Sequence, residues 1–94
     1  MTVTMSIQLI PIVSVEKKLH EIVDEAIKVI NTSGLKFKVN AHSTIVEGDF
    51  EELLELAKKV KEKIGDICER FVLNIQFDIS KRGVTIDEKT EKYG

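Results

Sequence analysis

Glu47 and Asp49 flank Gly48, and a pair of carboxylates this close is the first place to look for acid–base chemistry. Asp49, however, opens an apolar-periodic stretch and has Glu52 three residues on, the spacing of a capping box with Asp in place of Ser or Thr. That assigns Asp49 to the backbone and leaves no acid–base pair. Glu47 remains as a single carboxylate at a strand end. It can face an amino or cationic group, or serve the N-terminus of the helix that follows. His20 and His42 are the two imidazoles, and neither has a Cys or His partner at zinc-ligand spacing. His20 reads as a helix-surface residue, and His42 as a turn residue within reach of any ligand bound there. Cys68 has no Cys-x-x-Cys partner and reads as a small core residue. The five glycines are scattered and form no phosphate loop. What is left is polar but not catalytic. Asn74 and Gln76 alternate on one strand, and Gln8, Asn40 and Thr44 also lie in or beside strands. Carboxamides both donate and accept, which suits a polar ligand or a symmetric partner.

The elements that must position these groups follow from periodicity. Met1 to Ile10 alternates, with Val3, Met5, Ile7 and Leu9 on one face and Thr4, Ser6 and Gln8 on the other. Pro11 should end this strand or place it on an edge. Leu19, Ile22, Val23, Ala26, Ile27 and Ile30 predict a helix over 15–33, with Ser14 as N-cap and Gly34 as stop. Leu35 to Val39 is a second strand, residues 41–43 a turn, and Thr44 to Glu47 a short third strand whose facing Ile45 and Val46 leave open. A second helix follows Asp49, its buried stripe read as Phe50, Leu53, Leu54, Ala57, Val60, Ile64 and Ile67. Phe71 to Ile79 is the cleanest alternation and forms the last strand. Residues 81–83 turn the chain, and 85–94 read as a short charged helix or tail.

At 94 residues the chain is expected to be a single domain over 1–94. A net charge of -2 argues against nucleic acid, which calls for a basic surface. The strand aromatics share the parity of the core, so no rings are left for stacking RNA bases. No apolar run approaches the ~20 residues of a membrane span, so membrane insertion is not expected. The N-terminus lacks the pattern of a signal peptide. One cysteine cannot form an internal disulfide, which fits a reducing compartment.

The order strand–helix–strand–strand–helix–strand is the split β-α-β pattern of ferredoxin-like folds. It predicts an α+β domain with a four-stranded antiparallel sheet and two helices on one face. Val3, Ile7, Phe37, Val39, Leu73, Ile75 and Phe77 should face the helices. Thr4, Ser6, Gln8, Ile10, Lys36, Lys38, Asn40, Val72, Asn74 and Gln76 should form the open face. That face is either solvated, or covered by another subunit or a small polar ligand.

Several segments, in order, carry a family resemblance. Residues 33–39, Ser-Gly-Leu-Lys-Phe-Lys-Val, look like a small-Gly-hydrophobic turn into an aromatic-bearing strand. Thr44-Ile45-Val46-Glu47-Gly48 looks like a Thr-x-x-Glu-Gly strand. Asp49 and Glu52 follow, then Arg70, Lys81 and Arg82 around the last strand, and Thr85-Ile86-Asp87-Glu88-Lys89. Together they resemble the thiamine-binding, YkoF-like family of small ferredoxin-like proteins. The resemblance implies a cytoplasmic homo-oligomer, dimer or tetramer, that binds thiamine or its hydroxymethylpyrimidine part without catalysis and needs no cofactor. The aminopyrimidine requires an acceptor for its amino group and a donor for a ring nitrogen, and the thiazolium prefers a carboxylate or an aromatic face. Gln8, Asn40, Thr44, Glu47 and Asn74 are the candidate ligand contacts. Each has an ordinary alternative: a subunit contact for Gln8, Asn40 and Asn74, a strand position for Thr44, a backbone role for Glu47. Tyr93, or a ring from a neighbouring subunit, is the free aromatic. A regulatory amino-acid-sensing oligomer shares the same element order, and an assembly adaptor with no small ligand would show the same polar sheet face in its sequence.

Overall fold

The computed structural model describes residues 1–88. The elements run β1 (Val3–Pro11), α1 (Glu16–Thr32), β2 (Lys36–Val39), β3 (Thr44–Gly48), α2 (Phe50–Gly65) and β4 (Phe71–Asp78). The strands form one antiparallel sheet in the order β2-β3-β1-β4, and both helices cover one of its faces. This is the ferredoxin-like arrangement that the element order predicts. The helix begun at Ile86 is described through Glu88, and the rest of the expected tail, with Tyr93, lies outside the described residues.

Alternation sets the two faces. Val3, Met5 and Ile7 of β1 and Val46 of β3 are buried against Ile22, Ala26 and Ile30 of α1 and Leu53, Leu56, Val60 and Ile64 of α2. Ile45, half-buried, therefore lies on the open face. Each helix is held by its apolar stripe, the main source of helical stability in a folded domain. Three expectations need correction. Ser14 does not cap α1: Val15 occupies the N-cap, with no side-chain hydrogen bond there. The connection is drawn tight instead by Ile12, whose N–H donates to Arg70 O at 2.9 Å. On α2 the stripe is centred on Leu53, Leu56, Val60 and Ile64, so Leu56 belongs to it, while Phe50 and Ile67 at the two ends are exposed. Phe50 meets Phe77 edge-on instead, ring centroids 4.9 Å apart. Val39 has helix-side parity but is 49% exposed, because β2 is a four-residue edge strand at the rim of the helical layer.

The start of α2 follows its sequence. Asp49 is the N-cap, and its N–H donates to Glu52 Oε1 at 3.0 Å. Gly34 terminates α1 with φ of +77°, a conformation that favours glycine. Ser33 beside it donates its hydroxyl to Ile30 O at 2.6 Å and accepts from Leu35 N–H at 3.1 Å.

The strands differ in length, and this shapes the site. β1 pairs with β4 along eight residues, Thr4↔Asp78 to Pro11↔Phe71. It pairs with β3 along five, from Val3↔Gly48 to Ile7↔Thr44. Residues 8–11 therefore run past β3 and leave the sheet notched. Pro11, lacking an N–H, sits where β1 ends.

Candidate functional site

A cleft of about 250 Å³ opens at that notch. Val23, Ala26, Ile27 and Ile30 of α1 and Val60 of α2 supply one side, and Ile7, Gln8 and Leu9 of β1 another. The β2–β3 connection closes it with Val39, Asn40, Ala41, His42, Ser43 and Thr44. The connection is itself fixed, since Asn40 N–H donates to Ser43 O at 2.8 Å. Apolar walls with a few polar groups at one end are the usual make-up of a small-molecule site. The volume lies below the ~300–1,000 Å³ of sites that enclose a drug-sized ligand, so it suits one ring with small substituents.

Three of the five sequence-derived candidates line this cleft. Thr44 faces the helices, buried, because it pairs with Ile7 on the core side of the sheet. Asn40 stands at the exposed mouth beside His42. Gln8 lines the cleft along its main chain, since its side chain is on the open face. There Asn74, its partner in register, donates from Nδ2 to Gln8 Oε1 at 3.2 Å. Asn74 and Gln8 thus bond to one another within the subunit, on the opposite side of the sheet from the cleft.

Glu47 lies at the other end of β3. It pairs with Thr4 and Lys36, on the open face, and its Oε1 accepts the Ile86 N–H at 2.8 Å. Around it the C-terminal segment crosses back onto the sheet. Val84 N–H donates to Thr2 O at 2.8 Å, and Lys36 Nζ meets Asp87 Oδ2 at 2.6 Å. The hydrogen bond to Asp87 raises the Lys36 pKa above the ordinary lysine range, with the charges of Asp87 and Glu47 adding to it. Val84 and Ile86 are buried by this return, and Thr4 is buried on a face otherwise open. A shallower polar depression beside it is lined by Thr4, Ser6, Ile45, Gln76 and Asp78.

The sequence reading missed the apolar walls as a ligand surface, because Val23, Ala26 and Ile27 carry the same signal as any core stripe. Ser43 was legible only as a turn residue. Cys68 is buried, its thiol donating to Arg70 O at 3.2 Å, as a small core residue would be. Among the described residues no cluster of three His, Cys, Asp or Glu could hold a metal ion. No helix among them is long and apolar enough to cross a membrane.

Known proteins fill in the rest. Over its full length the chain is similar to a Thermotoga maritima protein proposed to act in thiamine biosynthesis or salvage. The two are 38% identical with a TM-score of 0.94, each chain covered completely. A Bacillus cereus domain of unknown function is 35% identical over 99% of this chain and 90% of that one, with a TM-score of 0.89. A UPF0045 protein of Clostridium perfringens is 39% identical over 93 residues, 98% of this chain and 97% of that one. Residues 5–94 match the family model described as thiamine-binding protein, and the chain belongs to that family.

Proposed function

We propose that this protein binds thiamine through its aminopyrimidine half in the cleft between α1 and the β2–β3 connection, without catalysing a reaction. It acts as a carrier or sensor in the cytoplasm, as a dimer or tetramer. The observation that carries the reading is the cleft itself: a ring-sized apolar slot lined by buried Thr44, with Asn40 of the β2–β3 connection at its exposed rim. The apolar walls take the pyrimidine and its methyl group. The two-ring ligand exceeds the space, so the thiazolium stays at the mouth near Asn40 and His42, where water screens its charge. Glu47 and Asn74 then serve the fold: Glu47 holds the C-terminal segment, and Asn74 holds Gln8 on the open face. Membership of a thiamine-binding family and the likeness to the Thermotoga protein support the choice of ligand.

Calorimetric titration with thiamine and with hydroxymethylpyrimidine, using an amino-acid mixture as control, tests this. Saturable heat is expected for both pyrimidines. Thr44→Val and Asn40→Ala should each weaken binding by about 5- to 30-fold, the ~1–2 kcal/mol of a hydrogen bond lost in a desolvated site. Heat from the amino acids alone would favour the regulatory-sensor reading. Parental affinity in both variants would move the site elsewhere.

A further inference from the structure

The backbone at the notch has a direction that the register fixes. Ile12 N–H donates to Arg70 O, one step beyond the last β1–β4 pair, Pro11↔Phe71. In an antiparallel ladder, hydrogen-bonded and non-bonded pairs alternate. Even-numbered residues of β1 therefore turn their N–H and C=O toward β4, and odd-numbered ones toward β3. The other side of the sheet gives the same phase. Asn40 N–H donates to Ser43 O across the β2–β3 connection, so Ser43 turns toward β2 and Thr44 toward β1, where it meets Ile7. The pairing of β1 with β3 ends at that pair. Two residues on, Leu9 presents its N–H and C=O together at the edge where β3 has stopped, and Leu9 lines the cleft.

We propose that the Leu9 main chain reads the aminopyrimidine, its C=O accepting from the exocyclic amino group and its N–H donating to the adjacent ring nitrogen. This deepens the ligand reading above and rests on it. A donor and an acceptor side by side on one strand residue match an amine next to a ring nitrogen, and the pattern discriminates by polarity rather than by size. The match also accounts for a recognition site with few polar side chains, since strand main chain supplies both groups. Pro11 bears on which occupant fits. At the next odd position it offers no N–H, so an incoming β-strand would lose its donor after a single residue. A small planar ligand needs only Leu9.

The test uses the full chain, labelled with 15N-leucine, and three probes: thiamine, hydroxymethylpyrimidine and the 4-oxo analogue. In the 4-oxo compound the ring donor and acceptor change places. The Leu9 amide should exchange rapidly without ligand, and it should shift and become protected on saturation with hydroxymethylpyrimidine. The 4-oxo analogue should bind at least about tenfold more weakly. Leu9→Pro takes away the N–H that points away from β4 and should abolish pyrimidine binding. Should Leu9→Pro fail to fold, the amide measurement on the parent decides alone. Pyrimidine binding with an unmoved Leu9 amide and equal affinity for the 4-oxo analogue overturns the Leu9 assignment while the cleft reading stands. A Leu9 amide already protected without ligand overturns it too. No binding of any pyrimidine by the folded protein overturns the cleft reading, and the Leu9 assignment with it.

Discussion

A carboxylate beside a glycine invites a ligand role, yet Glu47 is used by the fold. Its Oε1 takes the Ile86 N–H, and the segment so held buries Val84 and Ile86 on the open face. A hydrogen bond to a charged acceptor is worth about 1.5–3 kcal/mol, less here because Glu47 is only half-buried. Glu47→Ala should therefore lower stability by about 1 kcal/mol and speed hydrogen exchange at the Ile86 amide. Glu47→Gln keeps an acceptor oxygen and should lose less of both. Neither should alter pyrimidine affinity, because Glu47 sits at the opposite end of β3 from the cleft. A large affinity loss in Glu47→Gln with an undisturbed Ile86 amide would return this residue to the ligand. The sequence left both roles open for a physical reason. Spacing puts a carboxylate at a strand end, but only the return of residues 83–88, a long-range contact with no periodic signature, says which group reaches it.

Elements are where sequence and structure agree most closely, since each is set by a short-range rule. Period two placed β1, β2 and β4, the 3.6 period placed α1 within a residue of each end, and the Asp49 capping box placed the start of α2. Gly34 shows how local such a rule is. A Cβ added there would meet nothing within 4 Å, so the cost of replacing it comes from φ of +77° alone. Gly34→Ala should cost about 1 kcal/mol, and Gly34→Asn less, because Asn tolerates the left-handed region. A thermal melt reads this as a fall in Tm of about 4–8 °C for Ala. An Ala variant as stable as the parent would show that the turn after α1 relaxes freely. Rules of this kind could not show the cleft. It arises because β1 runs four residues past β3, and strand pairing lengths are set by where the β2–β3 connection folds back. Asn40 and Thr44 were legible as polar residues near strands. That they share a cavity with Val23 and Ile27 was not, because a stripe that lines a slot looks like one that fills a core.

At the scale of the whole molecule, the open face is covered at its Glu47 end by residues 84–88, and among the described residues no helix covers its other end. Ile10 and Val72 pair across β1 and β4 on it, 38% and 42% exposed, next to the Gln8–Asn74 amide pair. Ile12 continues the apolar strip just past β1 and is 50% exposed. Neither Ile10 nor Val72 contributes to the buried core, so a charge at these positions leaves the fold intact while opposing any copy laid on that face. Under the proposed dimer or tetramer, Val72→Asp should shift the light-scattering mass toward one subunit with an unchanged circular dichroism spectrum. The parent's Tm should rise with protein concentration, and the variant's should not. Ligand adds a second lever, because whatever binds the native state stabilises it, by about 2.7 kcal/mol at a hundred times Kd. The cleft and the open face lie on opposite sides of the sheet, so Val72→Asp should keep its ligand-induced rise in Tm even as it loses the concentration dependence. If both vanish together, the site is completed by a neighbouring subunit, and the cleft of one chain is only part of it.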